Sequence, residues 1–567
     1  MGSQHDINIR YVNASYARID CADSIRYELS DHYTFDIPGA QYMPGGRFNK
    51  RSRGHWDGKI RLYSKRDSLL PRGLLEDIQQ GFARSKNYTT SEDERSSEYS
   101  RRREVSGDSI RDFIEKLDIR GADGSRINCR EDQLDAIEHG LRERRALILS
   151  PTASGKTLIG YVIFQYLRNQ SIQDDVGDGG QSTRSKHVRS SSGFRGLVLV
   201  PRIQLVNQLI DDWCQFSAAL SVRNDPRAVI REDFHAIYGG MEGLDPNGDA
   251  NSGTQRPRIV VSTWQSLFKL SPSVFDQFTV VLGDEAHEFK AKSLSHIMNS
   301  CVNAHDRIGL TGTLDGTNTH KLVLEGLFGP ARKIISSREL MDKGHIAKLR
   351  PIKIMLLKHH DHDCKALKKK QEGYEGEITH LISSDVRNKF VSRLALRLEG
   401  NTLVLFQRVE THGKLLYEMM RAMEPNRKVF FIHGGIDTDI RENVRQIVER
   451  ETDAIIVASY GTFSTGINIR NLHNVVFASP SKSRIRNRQS IGRGLRIGDA
   501  NSEAPLFAIA DNLRPASKGS PNFTYNHLIE RMKVYVEEKF PYKIYDIQLP
   551  LNSTAASLTE TEAFQND

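Results

Sequence analysis

The chain has 567 residues, of which 38% are hydrophobic and 27% are charged, and its formal net charge is +9. This composition is typical of a soluble globular protein, and no apolar run approaches the ~18 residues of a membrane-spanning helix. The five cysteines are widely spaced and never in CxxC arrangement, which excludes a zinc ribbon or a disulfide framework and favours the cytoplasm.

The N-terminal region, residues 1–105, carries a concentrated positive charge. Residues 47–72 contain nine Lys or Arg against two Asp, interleaved with Phe48, Trp56 and Tyr63. Because bases stack on aromatic rings, this pattern favours a basic nucleic-acid-binding accessory domain over a merely solvated surface. A place for Trp56 in an ordinary small-domain core stays open.

Two series of short apolar strands alternate with amphipathic helices after this region. The first series of predicted strands lies at 146–149, 196–200, 259–261, 279–282 and 307–310, and the second at 353–357, 402–406, 429–432, 454–457, 475–478 and 506–510. Continuous β-branched runs are typical of parallel sheets with both faces covered, and strand–helix alternation indicates doubly wound domains. The sequence therefore predicts an α/β fold with two tandem parallel-sheet domains, and the polar stretches 171–195 and 242–258 are predicted surface insertions.

A phosphate-binding loop is predicted at residues 150–157. The letters SPTASGKT follow the first strand and precede a helix-like run at 158–167, which is the context that such a loop needs. Backbone N–H groups at the helix start would cradle the phosphates, Lys156 would neutralise their charge, and Thr157 would ligate Mg²⁺. Ser150 stands where the strict pattern has its first glycine, so the match is incomplete.

An acidic turn, DEAH at residues 284–287, follows the strand at 279–282. The carboxyl ends of strands are where open α/β sheets bind ligands. Asp284 is predicted to hold Mg²⁺ and Glu285 to orient and deprotonate the attacking water. Alone, the four letters could be a solvated turn. Together with the phosphate-binding loop, they supply the groups that phosphoryl transfer to water needs: a lysine, a metal ion, an acid to hold the metal, and a base or water-orienting group.

A second basic segment, residues 482–496, contains six Lys or Arg and no acid. Arg493 and Arg496 are three residues apart and would share one face of a helix. Arginine suits planar, bidentate phosphate recognition, so both side chains are candidates for fingers on the transferring phosphate. Taken alone, the segment would read as a basic surface helix.

Together and in this order, the segments resemble the motifs of superfamily 2 helicases over roughly residues 125–515. The matching segments are 130–133 (an adenine-reading glutamine), 150–157 (motif I), 200–202 (Ia), 262–265 (Ib), 284–287 (II), 311–313 (III), 403–408 (IV), 458–468 (V) and 489–496 (VI). The whole chain resembles, more narrowly, recombination helicases of T-even bacteriophages, and the additional supporting stretches are 17–21, 56–62, 69–74 and 537–540.

The resemblance implies four regions and a function. The regions are an accessory domain at 1–105, RecA-like domains at 106–335 and 336–512, and a small C-terminal helical segment at 513–567. The implied function is that of an ATP- and Mg²⁺-dependent DNA helicase or translocase on branched DNA, in recombination, replication and repair. This function includes fork regression, Holliday-junction branch migration, and unwinding of R-loops and D-loops. The implied partners are branched and single-stranded DNA, RNA–DNA hybrids, and single-strand-binding or recombination proteins in the bacterial host cytoplasm.

The resemblance also implies a role for each matched residue. Catalysis is assigned to Lys156, Glu285, Gln489, Arg493 and Arg496. ATP binding is assigned to Gln133, Thr152, Ala153, Ser154, Gly155, Lys156, Thr157 and Gly466. Coupling is assigned to His287, Thr311 and Thr313, and metal binding to Thr157 and Asp284. Nucleic-acid binding is assigned to Arg202, Thr263, Gln407 and Ser459, with Arg51, Arg53, Trp56 and Lys59 in the accessory domain.

Two other classes of function stay open from the sequence. One is an RNA helicase or a nucleic-acid-stimulated ATPase switch. The other is a strand-annealing protein in which ATP only regulates the affinity for DNA. The run HHDHDC at 359–364 holds residue types that bind metals, but adjacent ligands rarely converge on one ion. We interpret this run as a strand end, because no partner ligands are indicated.

Overall fold

The structure is a computed structural model, and it describes residues 5–36, 57–151, 154–176, 194–238, 259–288, 291–312, 314, 317–345, 350–370, 373–465, 469, 471–481, 505–514 and 520–550. Internal contacts divide the chain into two compact units, residues 1–150 with 154–334, and residues 335–567 with 151–153. Among the described residues, no helix combines the length and apolarity needed to cross a lipid bilayer.

The N-terminal part of the first unit folds around a small mixed sheet. Its strands are β1 Ile7–Tyr11, β2 Tyr16–Cys21, β3 Thr34–Asp36, β4 Lys59–Arg61, β5 Leu69–Pro71 and β6 Thr90–Glu92, and its helices are α1 Asp23–His32, α2 Arg84–Lys86 and α3 Glu94–Ser100. The main sheet has the order β5-β2-β1-β6, whereas β3 and β4 form a separate antiparallel ribbon. Tyr63 is only 2% exposed and belongs to the core. Its ring is therefore unavailable for the base stacking that the basic segment suggested.

The rest of the first unit is a doubly wound domain. Its strands are β7 Arg145–Leu149, β8 Gly196–Val200, β9 Phe234–Ile237, β10 Ile259–Thr263, β11 Val280–Gly283, β12 Asp306–Thr311 and β13 Ala331–Lys333. Its helices are α4 Gly107–Leu117, α5 Glu131–Glu143, α6 Lys156–Val176, α7 Ile203–Phe216, α8 Ala218–Val222, α9 Trp264–Leu267, α10 Ala291–Ser300 and α11 Asn318–Phe328. The sheet order is β13-β7-β12-β11-β8-β10-β9, with every pair parallel.

The second unit contains another seven-stranded parallel sheet, in the order β16-β17-β15-β18-β19-β14-β20. Its strands are β14 Ile352–Lys358, β15 Thr402–Phe406, β16 Val429–Ile432, β17 Ile455–Ser459, β18 Asn474–Phe477, β19 Leu506–Asn512 and β20 Tyr542–Gln548. Its helices are α12 Ser337–Asp342, α13 Asp361–Lys370, α14 Gly373–Ser383, α15 Asp385–Arg397, α16 Lys414–Met423, α17 Thr438–Arg450, α18 Tyr460–Thr465 and α19 Phe523–Glu537.

Burial explains why both series of strands form parallel sheets. Every residue of β8, β10, β11, β12, β15, β17, β18 and β19 is buried. Strands covered on both faces by helices carry mostly apolar side chains at successive positions, not only at alternate ones. The predicted fold class is thereby confirmed for the two sheets and the small N-terminal domain.

The C-terminal region differs from the helical expectation in its second half. Helix α19 forms, and the buried Glu377 accepts hydrogen bonds from the backbone N–H groups of Phe523 at 2.9 Å and Thr524 at 2.6 Å at its start. The chain then returns as β20, which pairs in parallel with β14 at the edge of the sheet. The segment therefore extends the second domain's sheet.

Buried arginines join the N-terminal part to the parallel sheet of the first unit. Arg145, which begins β7, donates a hydrogen bond to the carbonyl of Ala14 at 2.8 Å. Arg307, near the start of β12, donates to the hydroxyl of Ser15 at 2.8 Å. Arg72 is 5% exposed and lies over the rings of Tyr11 and Tyr99. This arginine of the basic segment therefore belongs to the junction at the amino edge of the sheet, not to a DNA-facing surface.

Candidate ATPase and nucleic-acid site

The candidate site lies at the carboxyl edge of the first parallel sheet. The phosphate-binding loop follows β7, the acidic turn follows β11, and β12 lies between these two strands. The N–H group of Ser150 donates to the carbonyl of Thr311 at 2.9 Å, and that of Asp284 donates to Leu199 at 2.9 Å. The parallel register thus brings together three segments that are far apart in sequence.

Gln133 holds the phosphate-binding loop from the side. Its Nε2 donates to the carbonyl of Ser154 at 2.9 Å, and its Oε1 accepts from the N–H group of Arg130 at 3.0 Å. The Arg130 guanidinium donates to the same Ser154 carbonyl at 2.7 Å and pairs with Asp132 at 3.0 Å. Both polar atoms of the predicted adenine-reading amide are therefore engaged with the chain itself.

The loop turns at Gly155, whose φ of +83° is costly for any other residue. Helix α6 begins at the next residue, Lys156, and Leu158 and Ile159 donate their N–H groups back to the Gly155 carbonyl. Within the described residues, the buried hydroxyl of Ser154 has no hydrogen-bond partner. A phosphate oxygen is the kind of acceptor that such a hydroxyl fits.

We expect Gly155→Ala to raise the KM for ATP about tenfold and to lower thermal stability. A Cβ at this position would overlap Nε2 of Gln133 and would have to displace that side chain from the loop. Steady-state ATPase assays and thermal melts measure the two effects. Gly124→Ala is the matched control, because Gly124 also has a positive φ, +77°, but open space around its Cβ. Both variants should lose about 1 kcal/mol from backbone strain, and an unchanged KM in Gly155→Ala would contradict the role of this loop.

Lys156 is paired with the acidic turn. Its Nζ lies 3.3 Å from Oε1 of Glu285, and its side chain is 9% exposed. Glu285 has a φ of +46°, an uncommon conformation for a residue with a side chain. Its other carboxylate oxygen lies 3.4 Å from Nδ1 of His287, which is hydrogen-bonded to Thr311 at 2.6 Å. One chain of polar contacts thus joins motif I, motif II and motif III.

Asp284 occupies an electrostatic environment that disfavours its negative charge. Burial and the neighbouring Glu285 raise its pKa to about 7, although Lys156 acts in the opposite direction. A divalent cation would offset this unfavourable concentration of carboxylates. The donor set, a carboxylate and the hydroxyl of Thr157 beside a phosphate-binding loop, fits the oxygen preference of Mg²⁺.

The predicted DNA contacts of the first unit also lie at this edge. Arg202 follows β8, and its guanidinium donates to Oε2 of Glu288 at 3.0 Å and 3.2 Å. Thr263 ends β10 and is 3% exposed, and its hydroxyl hydrogen-bonds that of Ser266 at 2.9 Å. An anion that binds Arg202 at these two donors would have to displace Glu288.

In the second unit, Gln407 and Ser459 lie at the carboxyl ends of the adjacent strands β15 and β17. The Gln407 side chain is exposed, and its N–H group donates to the hydroxyl of Ser479 at 3.1 Å. The hydroxyl of Ser459 accepts from the N–H group of Thr462 at 3.2 Å, in the first turn of α18. The fold therefore brings these two predicted contacts to one edge.

Of the other predicted site residues, the structure describes Lys59 but not the remaining ones. Lys59 lies on the ribbon strand β4, is exposed, and has Asp36 at 3.8 Å from its Nζ. The remaining predicted site residues lie outside the described part of the chain: Arg51, Arg53, Trp56, Thr152, Ala153, Thr313, Gly466, Gln489, Arg493 and Arg496.

The histidine-rich run serves a structural purpose in the described structure. Nε2 of His359 lies 3.0 Å from Asp511, whose carboxylate also accepts two hydrogen bonds from the buried Arg387 at 2.9 Å. The Arg387 charge helps to hold the pKa of Asp511 far below its usual range, against the effect of burial. Within the described residues, no group of three or more His, Cys, Asp or Glu side chains has a geometry suited to a metal ion.

Sequence reasoning gave no role to two residues that the structure places in the site. Arg130 lies in the segment 130–133, of which only Gln133 was assigned a role, and Glu288 follows the acidic turn directly without belonging to it. Each stands next to a recognised motif, and that adjacency was the only signal available. Their contacts involve partners 24 and 86 residues away.

The chain is similar to known proteins in both sequence and fold. Three family models match: "DNA helicase UvsW, N-terminal" over residues 6–93, "Type III restriction enzyme, res subunit" over 110–316, and "Helicase conserved C-terminal domain" over 385–498. The chain is 30% identical over 556 residues to the ATP-dependent DNA helicase uvsW of Enterobacteria phage T4, covering 96% of this chain and 100% of that protein.

The chain is also similar to solved structures. The crystal structure of T4 UvsW is 28% identical, covers 96% of this chain and 100% of that chain, and has a TM-score of 0.46. The DNA-bound Type ISP restriction-modification enzyme LlaBIII is 16% identical, covers 76% of this chain and 32% of that chain, and has a TM-score of 0.51. The second likeness supports the fold alone.

Proposed function

The chain belongs to the UvsW family of ATP-dependent DNA helicases, and from that premise we propose that it uses ATP hydrolysis to remodel branched DNA. The helicase activity and the use of ATP follow from membership of the family. The proposed substrates are regressing forks, Holliday junctions, R-loops and D-loops, and the proposed setting is the cytoplasm of a bacterial host. The contact chain from Lys156 through Glu285 and His287 to Thr311 is the observation that carries the ATPase assignment.

We assign the steps of ATP hydrolysis to residues of this chain. Lys156 binds the β- and γ-phosphates, and Glu285, released from Lys156 by ATP, orients the attacking water and takes its proton. Thr157 and Asp284 would hold Mg²⁺, which supplies charge neutralisation on the phosphates. His287 and Thr311 transmit the state of the site to the end of β12. Gln489, Arg493 and Arg496 complete the proposed catalytic set by stabilising the charge of the transferring phosphate.

DNA binding is assigned to the backbone of a single strand. Arg202, Thr263, Gln407 and Ser459 are the proposed contacts, each at the carboxyl end of a parallel strand. Arg202 and Gln407 are accessible to solvent, whereas Thr263 and Ser459 are 3% and 8% exposed and would contact DNA only after a local rearrangement. Contacts to phosphates make binding independent of sequence and sensitive to salt. The position of Arg202 beside motif II supports coupling between this strand and the ATPase site.

The preference for branched DNA rests on a second surface of the first unit. The N-terminal domain is joined to the amino edge of the sheet through Arg145 and Arg307, whereas the proposed strand contacts lie at the carboxyl edge. The ribbon strand β4 of this domain carries Lys59, whose side chain is exposed. Two nucleic-acid surfaces on one compact unit suit a substrate whose arms leave in different directions.

Lys59→Ala tests this second surface. We expect the affinity for a fork to fall about threefold and its salt slope to fall by about one, as for the loss of one phosphate contact. ATPase stimulation by single-stranded DNA should stay unchanged. Lys86→Ala is the control, because Lys86 is an exposed lysine of the same domain that also has an acidic partner, Glu28 at 3.2 Å, but lies on α2 and not on the ribbon. Fork titrations at several salt concentrations that show no difference between the two variants would refute the role of Lys59.

A further inference from the structure

Two ion pairs hold the acidic turn, and each involves a residue expected to bind an anionic substrate. Glu285 pairs with Lys156, the proposed ATP-binding cation. Glu288 pairs with Arg202, the proposed DNA-binding cation, with side chains that are 21% and 35% exposed. The two carboxylates belong to one short segment, because the N–H group of Glu288 donates to the carbonyl of Glu285 at 2.9 Å. ATP and DNA would thus each replace one carboxylate of the same turn.

We propose that Glu288 is a positioning residue that couples DNA binding to ATP hydrolysis by holding Arg202 until a DNA phosphate replaces it. This inference rests on the proposed contact between Arg202 and a single DNA strand. Without DNA, the Arg202–Glu288 pair ties the 3₁₀ turn Ala286–Glu288 to the end of β8. When a phosphate takes Arg202, the turn loses that tie, and Glu285, already displaced from Lys156 by ATP, can move towards the attacking water.

The geometry supports exchange in preference to a permanent pair. The Nη2 and Nε groups of Arg202 both donate to the same oxygen of Glu288, Oε2, at 3.0 Å and 3.2 Å. The pair therefore lacks the two parallel bonds of the strongest arginine–carboxylate geometry, in which each carboxylate oxygen accepts one bond. Water reaches both side chains, which are 35% and 21% exposed, and it screens the pair and limits its net contribution to stability. A DNA phosphate, which brings further contacts along the strand, can therefore displace the carboxylate.

Glu288→Gln keeps the size of the side chain and removes the charge that holds Arg202. We expect ATP hydrolysis without DNA to rise about fivefold, which corresponds to about 1 kcal/mol, the upper end of what solvent-accessible ion pairs contribute. Affinity for single-stranded DNA should rise by a similar factor, because Arg202 no longer has to leave a carboxylate. The ratio of DNA-stimulated to basal ATPase should fall accordingly. Damage to the fold would lower these quantities, so the gains distinguish positioning from a structural effect.

A matched control separates the local effect from a general change of charge. Glu232 is exposed and precedes β9, so it lies at the amino edge of the same sheet. Glu232→Gln removes one negative charge from the same unit and should leave basal ATPase and DNA affinity unchanged. Glu288→Asp, which keeps the charge on a shorter side chain, should give basal activity between that of the original protein and that of Glu288→Gln.

The experiment measures basal ATPase, DNA-stimulated ATPase and single-strand affinity for full-length Glu288→Gln, Glu288→Asp, Glu232→Gln and Arg202→Gln. The proposal predicts higher basal ATPase in Glu288→Gln and also in Arg202→Gln, since either change breaks the pair, and a smaller rise in Glu288→Asp. DNA binding should strengthen in Glu288→Gln and weaken in Arg202→Gln. If Arg202→Gln weakens DNA binding but Glu288→Gln changes nothing, the coupling role is overturned and the proposed DNA contact stands. If Arg202→Gln binds DNA as before, the DNA contact itself is overturned, and the coupling role fails with it.

Discussion

Replacing Glu285 with glutamine is expected to lower the kcat of ATP hydrolysis by about 10²- to 10⁴-fold, the range that general-base catalysis contributes. Glutamine can still lie beside the attacking water but cannot accept its proton. The substitution also removes the ion pair with Lys156, which lies 3.3 Å away. ATP affinity should therefore be maintained or increased while turnover collapses.

Single-turnover hydrolysis and nucleotide-binding titrations measure these two effects separately. Glu232→Gln serves as the control for the loss of one negative charge and should turn over normally. A Glu285→Gln variant with kcat within tenfold of the original value, or with normal branch migration, would show that Glu285 is not the catalytic base.

Replacing Lys156 with alanine is the second change with a large expected effect. The side chain is nearly buried at the start of α6, where its charge acts in a poorly solvated site. Loss of a charge-stabilising donor at a reacting phosphate lowers kcat by about 10²- to 10³-fold, and here the KM for ATP should rise as well. DNA binding without ATP should persist, because the proposed strand contacts lie on other residues.

Lys116→Ala is the matched control, because Lys116 is an exposed lysine on α4 of the same unit. It should hydrolyse ATP and bind DNA like the original protein. Steady-state ATPase and DNA-binding titrations of both variants test the assignment. Substantial ATPase activity in Lys156→Ala would place the phosphate-binding cation elsewhere.

Much of the fold could be predicted because its strands are buried on both faces. A run such as that of β8 has few alternatives to a central parallel strand, and the alternation with helices then dictates a doubly wound sheet. Strand β20 escaped prediction for the opposite reason. Five of its seven residues are exposed, so the apolar run that marks a central strand is missing at this edge of the sheet.

Charge proved harder to interpret than hydrophobic pattern. Residues 47–72 look like one basic surface in sequence, but Arg72 is buried at the junction and Arg61 is paired with Asp57. Tyr63, which looked available for stacking, is a core residue. Sequence alone does not show which members of a charged run find partners far along the chain.

The parts of the candidate site that lie within one continuous segment could be predicted from the sequence. The contacts between separate segments could not. The loop at 150–157 and the turn at 284–287 were found from their place after apolar strands. The engagement of Gln133 with the loop and of Arg202 with Glu288 depends on contacts between separate elements. No local pattern encodes such distances, so these contacts emerged only from the folded chain.

Strand displacement from a forked DNA tests the central claim, that hydrolysis at the Lys156–Glu285 site drives remodelling of branched DNA. The measurement compares the original protein, Lys156→Ala and Lys116→Ala, each with and without ATP, on a fork and on an unbranched duplex of the same sequence. The account predicts ATP-dependent displacement by the original protein and Lys116→Ala, faster on the fork, and none by Lys156→Ala. Displacement by Lys156→Ala, or equal rates on fork and duplex, would contradict it.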